Sequence, residues 1–480
     1  MLSKPKKVII VGAGAAGMQA AATLLSTSNF EVQILEASNR IGGRLLEMPE
    51  NFANFPIELG AAYIHGHKSS NWVYAQQAGA KMYNLKDLKT LVNVGGVVHE
   101  EKKFYEIDPD LKSIFDDWYE LNLNKVKLDE DITLKEYARR RAEAFKKPFA
   151  YDFVFRSLAH EWAADWSKLS VKAMQEMDKE LEDFIDDEED PGDFENYAIA
   201  PPVGQSQIFK KAFGHLFEHV KLNSRITEVN YEAEKVVLKD DLGETYSADA
   251  VIVTVPLTIL KKGTIAFKPG LPKSKMEAIK KLEMGCGGKV FVKFKKNLWG
   301  DCWGLVNDGF IIQYNAAGYF SEPHLNNVIE GFVAGPEAEH LSKITKEEQK
   351  EILKKDLQPF FGTESFDDNY EDHFYFGWES VPDIWGAYAY PGSADAAELR
   401  KALQKAIDNK LYFAGEATDY CGYAQALTGA YDSGKRAAEE IIKNFDLKVT
   451  TKESERKDKV VVESDVQAEK DSKSACVSSI

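Results

Sequence analysis

A short β-branched run, Val8-Ile9-Ile10-Val11, stops on Gly12-x-Gly14-x-x-Gly17, and this spacing constrains the fold more than any other stretch. The residues after it, Ala15 to Leu25, are small and apolar and read as a helix. A second run, Glu31-Val32-Gln33-Ile34-Leu35, ends on Glu36. Strand, glycine turn, helix, strand and terminal acid together predict a βαβ unit that binds a dinucleotide. Each glycine has a physical task. Gly12 permits the tight turn, Gly14 lets a pyrophosphate approach bare backbone, and Gly17 lets the helix pack close to the strand. The helix start offers unpaired N–H groups and the positive end of its dipole, with Ala15 and Ala16 in its first turn. Glu36 and the neighbouring Ala37 fall where a carboxylate meets ribose hydroxyls. An acid there argues against a 2′-phosphate, but does not separate NAD from FAD.

A chain of 480 residues is long enough for two domains and a tail. Its formal charge of −17 argues against nucleic acid, whose phosphates require basic patches. Such a charge can steer cations inward, although solubility alone accounts for it. The four cysteines, Cys286, Cys302, Cys421 and Cys476, show neither metal-site nor disulfide spacing. Chemistry by a bound metal is therefore not expected. The start, Met1-Leu2-Ser3-Lys4-Pro5, has no signal-peptide character, and no apolar run approaches the ~20 residues of a membrane span. A cytoplasmic protein without membrane attachment is expected.

Past Glu36, Asn39-Arg40-Ile41-Gly42-Gly43-Arg44 supplies two more glycines and a counter-charge for phosphate. Next, Ile57-Glu58-Leu59-Gly60-Ala61-Ala62-Tyr63-Ile64-His65-Gly66-His67 reads as a strand running into a small-residue turn with two histidines. Far downstream lie Leu411-Tyr412-Phe413-Ala414-Gly415-Glu416-Ala417-Thr418 and Leu427-Thr428-Gly429-Ala430, followed by Ser433-Gly434. Taken in this order, these motifs resemble those of the flavin-containing amine oxidases. They look most like the polyamine oxidase branch, its yeast-type spermine oxidases in particular, and fungal corticosteroid-binding proteins share the resemblance. It spans about residues 6 to 445.

The resemblance implies noncovalent FAD. Its cradle would comprise Gly12, Gly14, Ala15, Ala16, Gly17, Glu36 and Ala37, then Arg40, Gly43, Arg44, Gly60 and Ala61. Ile226 would lie by the adenosine half, and Gly415, Glu416, Ala426 and Leu427 would close the far side. Covalent members of the family use a cysteine near the second motif, and Cys421 lies there in a different context. In Gly287-Gly288-Lys289-Val290-Phe291-Val292-Lys293-Phe294 the alternation reads as a strand. A lysine opening a strand normally faces solvent. In the family, the lysine at this place holds a water against flavin N5, which singles out Lys289 rather than Lys293 or Lys295. Tyr388 matches the aromatic over the flavin's reactive face, although by its residues alone it reads as a core aromatic. His65, with His67 as the alternative, would orient remote ammonium groups.

The remaining segments carry less chemistry. Ile107 to Leu121 and Leu134 to Phe145 have apolar residues at helical spacing. Trp162 and Trp166 read as core residues on one helix, with the resemblance placing Trp166 near a substrate tunnel. The acidic run Glu180 to Glu195 reads as a solvated loop, or else as a rim that gathers polycations. Further strands are expected at Phe310 to Tyr314 and Asn327 to Val333, and a helix at Lys346 to Leu357. Residues 446–480, rich in Lys, Glu, Asp and Ser, read as a disordered tail.

The expected fold is α/β. A discontinuous Rossmann-like FAD domain would comprise 1–75, 203–262 and 395–445. A substrate domain of mixed or antiparallel sheet with helices would comprise 76–202 and 263–394. The expected reaction is oxidation of a polyamine of the spermine or N-acetylspermine class, with O2 as acceptor and H2O2 as product. The flavin carries the chemistry, and an apolar pocket favours the neutral amine that must react. One departure from the family bears on this. The second aromatic of the cage is replaced by Ala426, and the histidine of that turn by Thr428, so the cage is half built. That leaves a steroid-binding flavoprotein as the alternative. Oxidation of another amine is a further reading, and its demethylase version is disfavoured because neither a helical tower nor a histone-reading segment is evident.

Overall fold

The computed structural model describes residues 5–49, 52–101, 113–114, 126–145, 155–156, 159–182, 196–321, 323–420 and 424–445. The expected strand–helix–strand unit forms as β1 (Lys6–Val11), α1 (Ala15–Leu25) and β2 (Phe30–Leu35). These belong to a five-stranded parallel sheet. Its order is Leu411–Phe413, Ala250–Val253, β1, β2, Val220–Lys221. The continuous apolar runs are what a parallel sheet covered on both faces requires: Val8, Ile9, Ile10, Ile34, Val251 and Ile252 have no exposed surface.

The strand order creates the binding crevice. β1 is central, with β2 on one side and Ala250–Val253 on the other. Chain connections therefore diverge at its carboxyl end, where open α/β sheets place their ligands. Gly12, Glu36, Thr254 and Ala414-Gly415 each follow one of these strands directly. The helix Leu427–Asn444 lies against α1. Small residues allow that approach: a Cβ on Gly434 would overlap the Ala16 carbonyl, and one on Gly17 the Gly12 carbonyl.

A second sheet has seven strands in the order Tyr370–Gly377, Gly287–Phe294, Val328–Ala334, Gln313–Ala316, Gly304–Asn307, Thr90–Val94, Val97–Glu100. All neighbours are antiparallel except Gly304–Asn307 with Thr90–Val94. Phe294 packs edge to face against Phe361 and Phe366 under it, closed by the helix Lys346–Leu357. Thr345 and Glu348 form a reciprocal capping box at the start of that helix. Smaller sheets hold Ile226–Asn230 and the trio Ile64–His65, Asn196–Ile199, Met82–Asn84. No described helix is long and apolar enough to cross a membrane.

Two local expectations differ from what forms. The run Phe310 to Tyr314 becomes a strand only from Gln313, because the Phe310 and Ile311 N–H groups donate to the buried Asp356 carboxylate at 3.0 and 2.8 Å. Ile57 to His65 is a strand only at Ile64–His65. Upstream, Leu59 N–H donates to the Leu46 carbonyl and Ile57 accepts from Met48 N–H, a short bridge rather than a ladder. The helix Leu134–Phe145 forms as expected, whereas the one expected at Ile107 to Leu121 falls outside the described residues except for 113–114. Residues 183–195 and 446–480 likewise lie outside. Trp162 and Trp166 pack against a helical core of Leu134, Tyr137 and Phe155, with the Lys135 ammonium 5.6 Å from the Trp166 ring.

Candidate active site

Three turns meet at the carboxyl end of β1. Gly14 caps α1 with no side chain, so the first N–H groups of the helix lack an intrahelical acceptor. Gly12 sits at φ +111°, and a Cβ there would lie 2.6 Å from Thr254 Oγ1. Gly14 faces Gly43 across a bare backbone contact: a Cβ on Gly14 would meet only Gly43 Cα, at 3.9 Å. Arg40 holds the second turn from behind, donating to the Gly43 carbonyl at 2.5 Å and the Leu45 carbonyl at 3.1 Å. Burial pulls its guanidinium below the usual arginine range, and Glu36 opposes that shift.

Glu36 ties the cradle to the sheet. One carboxylate oxygen accepts from Ala13 N–H at 2.8 Å, and the other from Ser38 N–H and Oγ at 2.9 and 2.7 Å. Ala37 is half-buried in the turn between them. Glu36 N–H donates to the Lys221 carbonyl, and Ser224 N–H to the Glu36 carbonyl. Those bonds bring the buried Ile226 to the same corner. Bare glycine backbone, unpaired helix N–H groups and a carboxylate that keeps lone pairs free suit a dinucleotide with its pyrophosphate on α1.

The segment 411–418 docks through Arg44. Its Nη1 donates to the Glu416 carboxylate at 2.9 Å and the Ala387 carbonyl at 2.5 Å. Glu416 is buried and also accepts from Ala389 N–H. Behind it the fully buried Arg400 donates to the carbonyls of Glu416, Asp419 and Ala389. Gly60 packs on the Arg44 backbone, with Ala61 half-buried beside it. Gly415 N–H donates to Ser433 Oγ. Ala426 is the N-cap of the last helix and Leu427 its first residue.

Lys289 is buried, not solvent-facing. Its Nζ donates to the Glu58 carbonyl at 2.9 Å and pairs with Glu330 Oε1 at 3.0 Å. An ammonium has three hydrogens, so one remains for a group or water in the site. Next to Glu58, Trp378 Nε1 donates to the Leu59 carbonyl at 3.1 Å. The Glu58 carboxylate accepts from Ser206 N–H and Oγ, both at 2.7 Å, and burial raises its pKa.

Tyr388 donates its hydroxyl to the Glu161 carbonyl at 2.8 Å, and burial holds it well above the usual phenol range. Glu161 is densely surrounded by protein yet keeps accessible surface. Desolvation by the surrounding protein pushes its carboxyl up to about 7. His65 Nδ1 lies 2.6 Å from Asn196 Oδ1, and burial lowers its pKa, so its ring is neutral at pH 7. His67 is exposed, edge-on to Trp72.

The description "flavin containing amine oxidoreductase" belongs to the family model that matches residues 15–201 and 214–442. The chain belongs to this family. Human "Lysine-specific histone demethylase 2" is 27% identical over 91% of the chain and 53% of that protein. "Polyamine oxidase 4" of Oryza sativa subsp. japonica is 25% identical, over 92% of the chain and 90% of that protein. The chain thus spans about half the length of the histone demethylase relatives it matches and nearly all of the polyamine oxidases. A putrescine oxidase variant redesigned in its cofactor binding shares the fold, with a TM-score of 0.72 at 17% identity, covering 92% of this chain and 99% of that one. The family cofactor is FAD, normally noncovalent, and the cradle fits it. Cys421 lies outside the described residues.

Glu330, Glu161 and Arg400 did not stand out as site residues in the sequence. Glu330 left one trace, a charge inside the apolar run Val328-Ile329-Glu330-Gly331-Phe332-Val333.

Proposed function

We propose that this family member oxidises polyamines of the spermine or N-acetylspermine class with dioxygen as electron acceptor, releasing hydrogen peroxide. The observation that carries this reading is the junction at the crevice. Buried Lys289 bonds the Glu58 carbonyl, Gly60 packs on the Arg44 backbone, and Arg44 bonds Glu416 and the Ala387 carbonyl next to Tyr388. Bound FAD supplies the redox chemistry, accepting hydride from the carbon beside the amine nitrogen and passing electrons to dioxygen. The chain's residues do the rest. Gly12, Gly14, Ala15, Ala16, Gly17 and Gly43 would seat the pyrophosphate, Glu36 and Ala37 the ribose, and Ile226 the adenosine side. Arg44, Gly60, Ala61, Gly415, Glu416, Ala426 and Leu427 would enclose the other half.

Lys289 would place a positive charge beside dioxygen as it gains electrons. Tyr388 would form the aromatic wall that keeps water from the reacting amine, whose neutral form burial favours. Neutral His65 would accept a hydrogen bond from a substrate ammonium, and ionised Glu161 would attract one. A peroxide assay across polyamines, acetylated polyamines and monoamines tests the proposal. Turnover confined to monoamines would overturn it, as would a purified flavoprotein that binds steroid in place of spermine.

The Glu161 environment sets a pH dependence. Below about 7 its carboxyl is neutral and above that it is ionised, so KM for spermine should rise as pH falls through this value. One charge-assisted contact corresponds to about a tenfold change or more. Glu161→Gln should raise KM and flatten its pH profile while leaving kcat nearly unchanged. A variant that keeps the pH-dependent KM of the parent would exclude Glu161 from substrate binding.

A further inference from the structure

Lys289 and Glu330 lie on one face of the seven-stranded sheet. The register pairs Phe291 with Glu330 and Lys289 with Phe332, which makes the two charges diagonal neighbours across adjacent strands. Both are buried, at 6% and 7% exposure, and the residues flanking Glu330 are apolar. A carboxylate is costly in such a strand unless it meets a partner. Glu330 meets one, 3.0 Å away.

The other groups facing the pair do not replace it. From the Glu58–Gly60 segment Lys289 donates to the Glu58 carbonyl; the Glu58 carboxylate, bonded by Ser206, senses the Lys289 charge but lies outside ion-pair distance of it. Phe332 and Phe376 stand opposite Lys289 on the flanking strands. Asn315, in register with Glu330, donates to the Tyr63 hydroxyl at 2.8 Å. Burial and the Glu330 charge hold that hydroxyl far above the usual phenol range, so Tyr63 stays neutral. Among the described residues, Glu330 is the one carboxylate paired with Lys289.

We propose that Glu330 is a positioning residue, a dedicated buried counter-ion that keeps Lys289 an ammonium and aims it at the Glu58–Gly60 edge of the flavin crevice. The functional half rests on the reading of Lys289 given above; the pairing itself does not. A buried lysine without a partner favours its neutral amine. In that form it would place no positive charge beside dioxygen.

Thermal unfolding of the apoprotein and reoxidation of the reduced holoenzyme, each against pH, test this in Glu330→Gln, Lys289→Met and the double variant. Glu330→Gln should melt below the parent and regain stability as pH rises. In that range the unfolded chain binds the lysine proton and the folded one does not. The double variant should melt above Glu330→Gln, without that pH dependence. If Glu330→Gln fails to fold and the double variant folds, the result is the same in stronger form. Reoxidation of Glu330→Gln should slow about tenfold or more, increasingly as pH rises, with Glu330→Asp restoring part of it. A double variant no more stable than Glu330→Gln would overturn the pairing. A Glu330→Gln enzyme with the parent's reoxidation profile, alongside a slowed Lys289→Met, would overturn the positioning role. Should Lys289→Met itself reoxidise normally, it is the reading of Lys289 that fails, while the stability cycle still decides the pair.

Discussion

Arg44→Ala should yield a protein that melts well below the parent and emerges largely free of FAD. The reason is what the substitution leaves behind. The Glu416 side chain is 4% exposed and Arg44 Nη1 is its cationic partner. Removing one member of a buried pair strands the other charge in a medium that solvates it poorly, at about 3–5 kcal/mol. The same guanidinium nitrogen also holds the Ala387 carbonyl, so the Gly386–Ala389 segment that carries Tyr388 loses one of its tethers. Arg44→Lys keeps the charge but not the planar fork, and should recover part of the stability and less of the flavin. Differential scanning calorimetry and the flavin-to-protein absorbance ratio measure both effects. Unchanged flavin content in Arg44→Ala would separate the ion pair from cofactor retention.

Lys289→Met should separate the two halves of the catalytic cycle. Methionine fills similar volume without the charge, so the amine should still bind and still reduce the holoenzyme under anaerobic conditions. Reoxidation should slow by about 10²–10³-fold, the usual effect of losing one preorganised electrostatic contact in a dry site. Stopped-flow mixing of the reduced protein with dioxygen reads this directly. Slowed reduction with normal reoxidation would assign Lys289 to the amine instead. Methionine also leaves Glu330 buried without its partner, so this variant should be interpreted beside the double one.

The strand–turn–helix–strand unit of the candidate site was legible because its physics is local. Gly12, Gly14, Gly17 and Glu36 must occupy set positions on one strand–turn–helix–strand unit, and chain spacing displays them. Residues gathered across the fold were not legible in the same way. Lys289 could be chosen only through family resemblance, since its own strand marked it as solvent-facing. Its partner Glu330 depends on the register of a strand about 40 residues later. Arg400 acts through backbone carbonyls and Glu161 through the protein packed around it, neither of which has a spacing signature. The strand expected at Phe310 was misread for a related reason: Asp356, remote in sequence, takes the N–H groups that a ladder would have used.

Anaerobic mixing of the purified FAD-loaded protein with spermine tests the central claim most directly. The yellow flavin absorbance should bleach within the turnover time of the enzyme and return on admission of air, with one peroxide released per flavin. A protein that carries FAD and keeps its full colour with spermine and N-acetylspermine alike would contradict the account.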